Sequence, residues 1–302
     1  MELGMVGLGK MGANMTARLV QGGHRVVGFA RTKAVVDAAV QKGAVGAYSL
    51  DALVRALRPP RVVWLMIPSG APVDQTLEQL RPLLSAGDLV VDGGNSYYRD
   101  TLRRSALVTS WGFRYVDVGT SGGIWGLTEG YSMMVGGEKA DVERIRPILE
   151  TLAPSPTHGW GHMGPVGSGH FVKMVHNGIE YGMMQAYAEG FAVLQAKSAF
   201  ALDLHQVAEV WRYGSVIRSW LLELTESALA ENPTLKGIEP WVEDSGEGRW
   251  TVAEALDLNI PAPVITLALQ QRFRSRETDP FTERLLALMR NKFGGHAVKL
   301  GT

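Results

Sequence analysis

Residues 3–12 read LGMVGLGKMG, an apolar run that passes directly into a glycine-rich loop. The run predicts a buried strand, and the apolar spacing that follows as far as Gly22 predicts a helix. In such a unit Gly7 permits the tight turn, Gly9 lets a pyrophosphate approach the backbone, and Gly12 lets helix and strand pack closely. The stretch therefore predicts a dinucleotide site formed by Gly7, Leu8, Gly9, Lys10, Met11 and Gly12.

The first half of the chain alternates short apolar runs with helical patterns. The predicted strands are Leu3–Val6, Arg25–Phe29, Arg61–Ile67, Leu89–Asp92 and Tyr115–Val118. Alternation of this kind is typical of a doubly wound, mostly parallel sheet with helices on both faces. We therefore predict an α/β Rossmann domain over residues 1–163.

The strand pattern stops at about Gly164. Four helical patterns follow, namely Gly167–Ala196, Leu204–Thr225, Pro263–Phe273 and Asp279–Lys292. Residues 232–247, rich in proline, glycine and charge, are predicted to form a surface loop. We predict an all-α domain over residues 164–302 that serves substrate binding and dimerisation.

Composition limits the partners that the chain can have. Its 302 residues include 30 Lys and Arg, 30 Asp and Glu, and no cysteine, which excludes disulfides and thiolate metal sites. A balanced charge favours neither nucleic acid nor an acidic membrane. Asp, Glu and His do not cluster at ligand spacing, so we predict no metal. With no signal-peptide pattern and no long apolar run, we expect a cytoplasmic protein.

The end of the second predicted strand bears on cofactor choice. An acidic residue there would bind the ribose 2′-hydroxyl of NAD, but the chain has Ala30, Arg31 and Thr32. A guanidinium beside a hydroxyl suits a 2′-phosphate, so we predict NADP, with Arg31 and Thr32 as ligands. The alternative is that Arg31 faces solvent, which leaves NAD open.

The pattern from Gly167 to Phe191 predicts one long helix with two distinct faces. Five polar residues fall within an arc of roughly 140° at 100° per residue; they are Lys173, His176, Asn177, Glu180 and Tyr181. The apolar residues of the opposite face are predicted to enter a core; they are Phe171, Val172, Met174, Val175, Ile179 and Met183. A solvated polar face is the alternative, but the seven-residue spacing of Lys173 and Glu180 is not that of a surface ion pair.

Three further segments carry a resemblance to a known family. Residues 92–96 read DGGNS, residues 119–123 read GTSGG, and residues 170–182 read HFVKMVHNGIEYG. Together they resemble 6-phosphogluconate dehydrogenase, the decarboxylating enzyme of the pentose phosphate pathway. Residues 124–127 (IWGL) and the total length resemble its short form. The resemblance implies 6-phosphogluconate as substrate and a nicotinamide as the hydride acceptor, while the choice of NADP rests on the residues at the end of the second predicted strand.

The resemblance also implies the catalytic roles. Lys173 would take the proton of the C3 hydroxyl while hydride leaves C3, and the β-keto acid formed would lose CO₂ while the protonated lysine polarises its ketone. Glu180 would then protonate C1 of the enediol to give ribulose 5-phosphate. Lys173 must be neutral near pH 7 for this role, which requires burial or a nearby positive charge.

The remaining site residues are carried over in the same way. Those implied around the sugar carboxylate and hydroxyls are Asn95, Ser121, Gly122, Gly123, His176 and Asn177, with Asn95 also facing the cofactor. Those implied around the phosphate are Tyr181, Arg218, Arg249, Thr251, Arg290 and His296. The family commonly has lysine where this chain has Arg249. Because the counterparts of Arg290 and His296 reach a neighbouring subunit, we expect a homodimer or a dimer of dimers.

Several alternatives stay open from the sequence. The chain could be a β-hydroxyacid dehydrogenase that does not decarboxylate, although Glu180 and the arginines argue against this. It could also be a catalytically silent NADP-binding sensor, which retention of both Lys173 and Glu180 disfavours. Arg218, placed in a predicted apolar helix, could pair with a core carboxylate. The segment carrying Arg290 and His296 could be a frayed terminus.

Overall fold

The computed structural model describes residues 1–300. The chain divides into two compact units, Met1–Asn177 and a second unit from Gly178 onward. The strands are β1 Glu2–Val6, β2 Arg25–Phe29, β3 Val45–Ala47, β4 Val62–Leu65, β5 Leu89–Asp92, β6 Arg114–Ser121, β7 Ser132–Gly136 and β8 Trp160–Gly164. The helices are α1 Lys10–Gln21, α2 Lys33–Val40, α3 Leu50–Arg55, α4 Ala71–Leu80, α5 Tyr98–Ser110, α6 Gly126–Glu129, α7 Lys139–Leu152, α8 Ser168–Ala196, α9 Leu204–Trp211, α10 Trp220–Glu231, α11 Glu247–Asp257, α12 Pro263–Arg274 and α13 Phe281–Gly294.

All eight strands form one sheet in the order β3-β2-β1-β4-β5-β6-β7-β8. Only the β6–β7 pair of this sheet is antiparallel, so the predicted doubly wound, mostly parallel fold is confirmed. The strand order changes direction between β1 and β4, and in such sheets ligands bind outside the carboxyl ends of the strands at this point. The loop beginning at Gly7 leaves β1 there.

Two apolar cores cover the sheet. One contains Leu3, Met15, Trp64 and Tyr131, and the other contains Val27, Leu53 and Val90 among others. The central strands are almost wholly buried, since β4 and β5 each read as four consecutive buried residues. Burial on both faces explains their unbroken apolar sequence.

Three strands were not predicted. Val45–Ala47 has three residues, and β7 and β8 are rich in glycine, methionine and polar side chains. Each pairs with a neighbouring strand, and Met133 and Val135 of β7 also enter the core, but none has an apolar run long enough to indicate a strand by itself.

The second unit is helical, and its helices differ from the predicted ones in two places. The pattern over Leu204–Thr225 is two helices, because Ser219 caps a new helix by accepting a hydrogen bond from the Leu222 amide at 3.1 Å. Helix α11 was not predicted. Residues 232–246 contain no helix or strand, as predicted.

The apolar face of α8 is a correction to the sequence analysis. Met174 is buried as predicted, but Ile179 is 52% exposed, and Val172 and Met183 also lie at the surface of the single chain. An apolar stripe predicts that this face of the helix is buried. The pattern is the same whether the face packs on the chain's own core or on another chain.

No helix within residues 1–300 is both long enough and apolar enough to cross a membrane. The division into compact units falls within α8, after Asn177. The domain boundary between residues 163 and 164 stays a prediction from the sequence.

Candidate active site

The glycine loop after β1 has the geometry that a dinucleotide requires. Gly7 has φ +98°, and a Cβ there would lie 2.3 Å from the Met66 carbonyl oxygen. A Cβ on Gly12 would lie 2.0 Å from the Gly7 carbonyl oxygen, whereas one on Gly9 would meet nothing within 4 Å. Space therefore opens where a pyrophosphate would approach the start of α1. The Leu8 side chain is buried in the core, which leaves only its backbone for a ligand.

The residues predicted to read the cofactor ribose lie at the end of β2. Arg31 and Thr32 are exposed, and a cavity of about 330 Å³ is lined by Ala30, Arg31, Lys33 and Tyr48. Lys33 and Tyr48 also line this cavity but were not among the cofactor ligands predicted from the sequence. Lys33 directly follows the Arg31-Thr32 pair, and a second cation there was a signal available in the sequence.

The loop after β5 is held by a buried carboxylate. Asp92 is fully buried and accepts hydrogen bonds from Ser96 Oγ at 2.8 Å and from the Tyr115 hydroxyl at 3.2 Å. Burial and then the Asp92 charge raise the pKa of Tyr115 well above its ordinary value. Asn95 leaves this loop toward β6, where Asn95 Nδ2 donates to the Thr120 carbonyl at 3.2 Å and the Thr120 amide donates to Asn95 Oδ1 at 3.1 Å.

The two hydrogen bonds between Asn95 and Thr120 place Asn95 beside residues 119–123. Ser121 ends β6, and Gly122 and Gly123 follow with φ of +126° and +52°. The structure thus brings Asn95, Ser121, Gly122 and Gly123 together, as the resemblance implied.

The first turns of α8 pack directly on the backbone of the sheet. A Cβ on Gly119 of β6 would lie 2.3 Å from Lys173 Cβ, and one on Gly169 would lie 2.4 Å from the Met134 carbonyl oxygen. Buried Asp117 fixes the start of the helix, because its two carboxylate oxygens accept from the amides of Gly167 at 2.7 Å and His170 at 2.8 Å. A carboxylate at a helix N-terminus is also favoured by the helix dipole.

Lys173 is 4% exposed and belongs to a triangle of polar atoms. Its Nζ donates to Asn177 Oδ1 at 2.5 Å and lies 3.2 Å from His176 Nδ1, and His176 Nδ1 lies 3.0 Å from Asn177 Oδ1. The buried start of α8 therefore brings an amine, an imidazole and an amide into mutual contact.

Glu180 and Tyr181 follow on α8, seven and eight residues after Lys173. Tyr181 is buried, and its hydroxyl accepts from the Ser245 amide at 3.3 Å. Thr251 is also buried and packs on the helix, since a Cβ on Gly178 would lie 2.7 Å from Thr251 Cγ2.

Three arginines of the second unit contact Tyr181 or Asp244; we call Arg249, Arg272 and Arg276 the arginine cluster. Arg272 Cζ lies 3.5 Å from the centre of the Tyr181 ring. Arg249 and Arg276 both donate to Asp244. Hydrogen bonds from Arg249, and then from Arg276, hold the pKa of Asp244 below its ordinary value.

The arginine cluster corrects one part of the sequence analysis. Arg218 does not lie in an apolar helix but is exposed in the connection between α9 and α10. Arg272 and Arg276, which the sequence analysis missed, accompany Arg249 instead. Their four-residue spacing at the end of α12 was a weak signal, because many exposed helices carry cations at this spacing.

The remaining predicted residues lie near the C-terminus. Arg290 lies inside α13, which continues to Gly294. His296 follows the left-handed residue Gly295, and its carbonyl accepts from Asn291 Nδ2 at 2.9 Å. Both Arg290 and His296 are exposed on the single chain.

Among residues 1–300, no three or more His, Asp or Glu side chains are grouped so that they could hold a metal ion. Apart from the carboxylates of Asp92, Asp117, Glu180 and Asp244, the polar groups described above are amides, hydroxyls, an imidazole, an amine and guanidinium groups. Such a set suits an anionic, hydroxylated ligand.

Comparison with known proteins accounts for nearly the whole chain. Residues 2–164 match the NAD binding domain of 6-phosphogluconate dehydrogenase. Residues 169–297 match the 6-phosphogluconate dehydrogenase C-terminal domain.

Individual relatives agree with these matches. The chain is 45% identical over 99% of its length to Bacillus subtilis YqeC, of which it covers 99%. It is equally identical over 99% of its length to an NAD(+)-dependent, decarboxylating 6-phosphogluconate dehydrogenase of Haloferax volcanii, of which it covers 98%. The fold superimposes with a TM-score of 0.84 and 29% identity on Plasmodium falciparum 6-phosphogluconate dehydrogenase, over 100% of this chain and 66% of that one. The chain therefore belongs to the 6-phosphogluconate dehydrogenase family.

Proposed function

We propose that the protein oxidises 6-phospho-D-gluconate with NADP and releases CO₂ and D-ribulose 5-phosphate, the decarboxylating step of the pentose phosphate pathway. The observation that carries the proposal is the buried Lys173 amine in contact with His176 and Asn177. The same helix continues to Glu180 and Tyr181. A base and an acid on one helix match the two proton transfers that the reaction needs.

Lys173 acts first, as the base. The glycine loop over residues 7–12 would hold the nicotinamide cofactor, which would supply the hydride acceptor for C3 of the sugar acid. Lys173 Nζ takes the proton of the C3 hydroxyl, and Asn177 Oδ1 receives a hydrogen bond from the ammonium that forms. Contact with the Gly119 backbone restricts the side chain from its Cβ outward. The C3 carbon becomes a ketone next to the carbon that bears the carboxylate.

Decarboxylation follows from this ketone. The Lys173 ammonium donates to the ketone oxygen, the bond between C1 and C2 breaks, and CO₂ leaves its electron pair on C2 as an enediol. Glu180 then donates a proton to that carbon, which becomes C1 of the product. Lys173 and Glu180 are two helical turns apart, about 10.5 Å along the axis, so their side chains must extend toward each other to serve the neighbouring atoms C3 and C2.

The arginine cluster supplies the phosphate site in this proposal. A phosphate dianion binds several forked donors well. Arg272 lies against the Tyr181 ring, and Arg249 and Arg276 both donate to Asp244. Arg218 stays a prediction of the resemblance.

NADP is the proposed cofactor, held by the glycine loop and the end of β2. The cavity beside Arg31 and Lys33 offers two cations and no carboxylate to a 2′-phosphate. The Haloferax relative is NAD(+)-dependent and the Plasmodium enzyme is described with NADP+. The family accommodates both cofactors, so the residues at this strand end decide between them.

A homodimer, or a dimer of dimers, completes the proposed site. The second unit has small cores, and many of its apolar residues are exposed, including Val193 at 71% and Leu256 at 73%. Helix α13 exposes Phe281, Leu286 and Met289. A 14-residue helix with so little packing is marginal alone, so we propose that a second chain covers it. Arg290 and His296 of this helix and tail would then reach the partner's phosphate site.

Subunit exchange tests the shared site. Lys173→Met and Arg290→Ala proteins are each expected to be inactive, and mixing them with exchange should restore part of the activity, because one site of a mixed dimer is intact. An active monomer in sedimentation, or no recovery after proven exchange, contradicts this arrangement.

The activity itself is tested by following NADPH absorbance with three substrates and both cofactors. We expect turnover with 6-phosphogluconate and NADP, much slower turnover with D-gluconate, and none with 3-hydroxyisobutyrate. Faster oxidation of 3-hydroxyisobutyrate than of 6-phosphogluconate would show a different hydroxyacid dehydrogenase. Formation of one NADPH per protein chain without further turnover would indicate the catalytically silent NADP-binding sensor.

A further inference from the structure

Asp244 accepts hydrogen bonds from two members of the arginine cluster, Arg249 and Arg276. Its side chain is 5% exposed and lies just before the start of α11. Arg249 comes from the first turn of α11, whereas Arg276 follows the end of α12. One carboxylate therefore connects the two elements that carry these guanidinium groups.

The contact with Arg249 is a two-point fork. Arg249 Nε lies 2.7 Å from Asp244 Oδ1, and Arg249 Nη2 lies 3.1 Å from Asp244 Oδ2. Arg276 Nη2 approaches the same Oδ2 at 2.9 Å. Because both Arg249 contacts use the Nε edge, Nη1 is the atom directed away from Asp244.

An aromatic ring holds the same guanidinium from its flat side. Arg249 Cζ lies 4.2 Å from the centre of the Phe273 ring, and Arg276 Cζ lies 5.5 Å from it. The two-point fork depends on a planar guanidinium, which lysine lacks, and the ring contact adds a cation–π interaction. Arginine at position 249 can therefore make a contact with Asp244 that lysine could not make.

We propose that Asp244 is a positioning residue for the phosphate of the substrate. It holds Arg249 and Arg276 in one fixed arrangement before the substrate arrives, which lowers the ordering cost of binding a dianion. This inference rests on the proposed function, because it takes the arginine cluster to be the phosphate site. The opposite role is that of a competitor, in which the Asp244 carboxylate must be displaced from the guanidinium groups before the phosphate can bind them.

The two roles predict opposite effects of Asp244→Asn in the full-length protein. A positioning carboxylate predicts that KM for 6-phosphogluconate rises about tenfold or more, with kcat and KM for NADP changed by less than about threefold. A competitor predicts that KM for 6-phosphogluconate falls. Asp279→Asn is the matched control, since Asp279 forms an exposed pair with Arg284 at 2.8 Å, and it should leave all three constants unchanged.

Arg249→Lys provides the second test. If Asp244 acts through the fork, Asp244→Asn should raise KM by less than about threefold when lysine already occupies position 249. Asp244→Glu restores the negative charge and should bring KM for 6-phosphogluconate part of the way back to the wild-type value. It also provides a folded variant to measure if Asp244→Asn does not fold. An unchanged or lowered KM in folded Asp244→Asn, or equal effects in both backgrounds, overturns the inference.

The wild-type control separates this inference from the proposed function. A wild-type protein that neither binds nor oxidises 6-phosphogluconate overturns the function and, with it, the phosphate site that Asp244 is proposed to organise. If the wild type is active and folded Asp244→Asn has an unchanged or lowered KM for 6-phosphogluconate, only the positioning role is overturned.

Discussion

Replacing Gly119 with alanine tests whether the sheet backbone positions the catalytic lysine. The new methyl would lie 2.3 Å from Lys173 Cβ and 2.8 Å from the Gly169 carbonyl oxygen, both of which are closer than the 3.4 Å at which ordinary contact begins. Helix α8 must therefore move away from β6 by at least about 1.1 Å, the difference between 2.3 and 3.4 Å. A misplacement of about 1 Å can lower a rate by about 100-fold.

We expect Gly119→Ala to lower kcat by about 100-fold while leaving NADP affinity unchanged, because the glycine loop over residues 7–12 is not disturbed. Stopped-flow and steady-state absorbance at the NADPH band measure the rate, and fluorescence titration with NADPH measures binding and confirms the fold. Gly190→Ala is the matched control, since Gly190 lies in the same helix and a Cβ there meets nothing within 4 Å. A Gly119→Ala protein that binds NADPH and retains kcat within about threefold of the wild type would refute the reasoning.

Three further predictions follow from the described contacts. Lys173→Met should lose at least about 100-fold in turnover while still binding NADPH, as measured by absorbance and titration. Arg31→Ala should raise KM for NADP far more than KM for NAD; equal changes would contradict the 2′-phosphate site. Hydrogen bonds from Arg104, and then from Arg103, hold the pKa of Asp74 below its ordinary value. Asp74 should therefore stabilise the fold above pH 4 and lose this contribution as pH falls through its folded pKa, so thermal unfolding of Asp74→Asn should converge with wild type in acid.

The sequence was sufficient where the physical constraint is local. The glycine loop was predictable because three glycines at fixed spacing satisfy three separate steric requirements, and Gly7 and Gly12 have the close approaches expected. Strands β2 and β5 were predicted with their observed bounds because both combine an apolar run with a sharp end.

The sequence was insufficient where structure depends on partners distant in the chain. Strand β8 lacks an apolar pattern, and the three apolar residues of β7 are too short a run to indicate a strand without its pairing to β6. The arginine cluster joins residues from a loop and the ends of two helices, so Asp244, Arg272 and Arg276 could not be identified from spacing. The apolar stripe of α8 was assigned to the chain's own core, although Ile179 is 52% exposed, because an interface between chains has the same apolar pattern as a core.

The most direct test of the central claim measures carbon and cofactor in one reaction. The full-length protein is incubated with NADP and 6-phosphogluconate labelled with ¹³C at C1, and released ¹³CO₂ is measured by mass spectrometry alongside NADPH absorbance. The account predicts one ¹³CO₂ for each NADPH and unlabelled ribulose 5-phosphate as the product. NADPH formation with the label retained in a keto acid would contradict decarboxylation by this site.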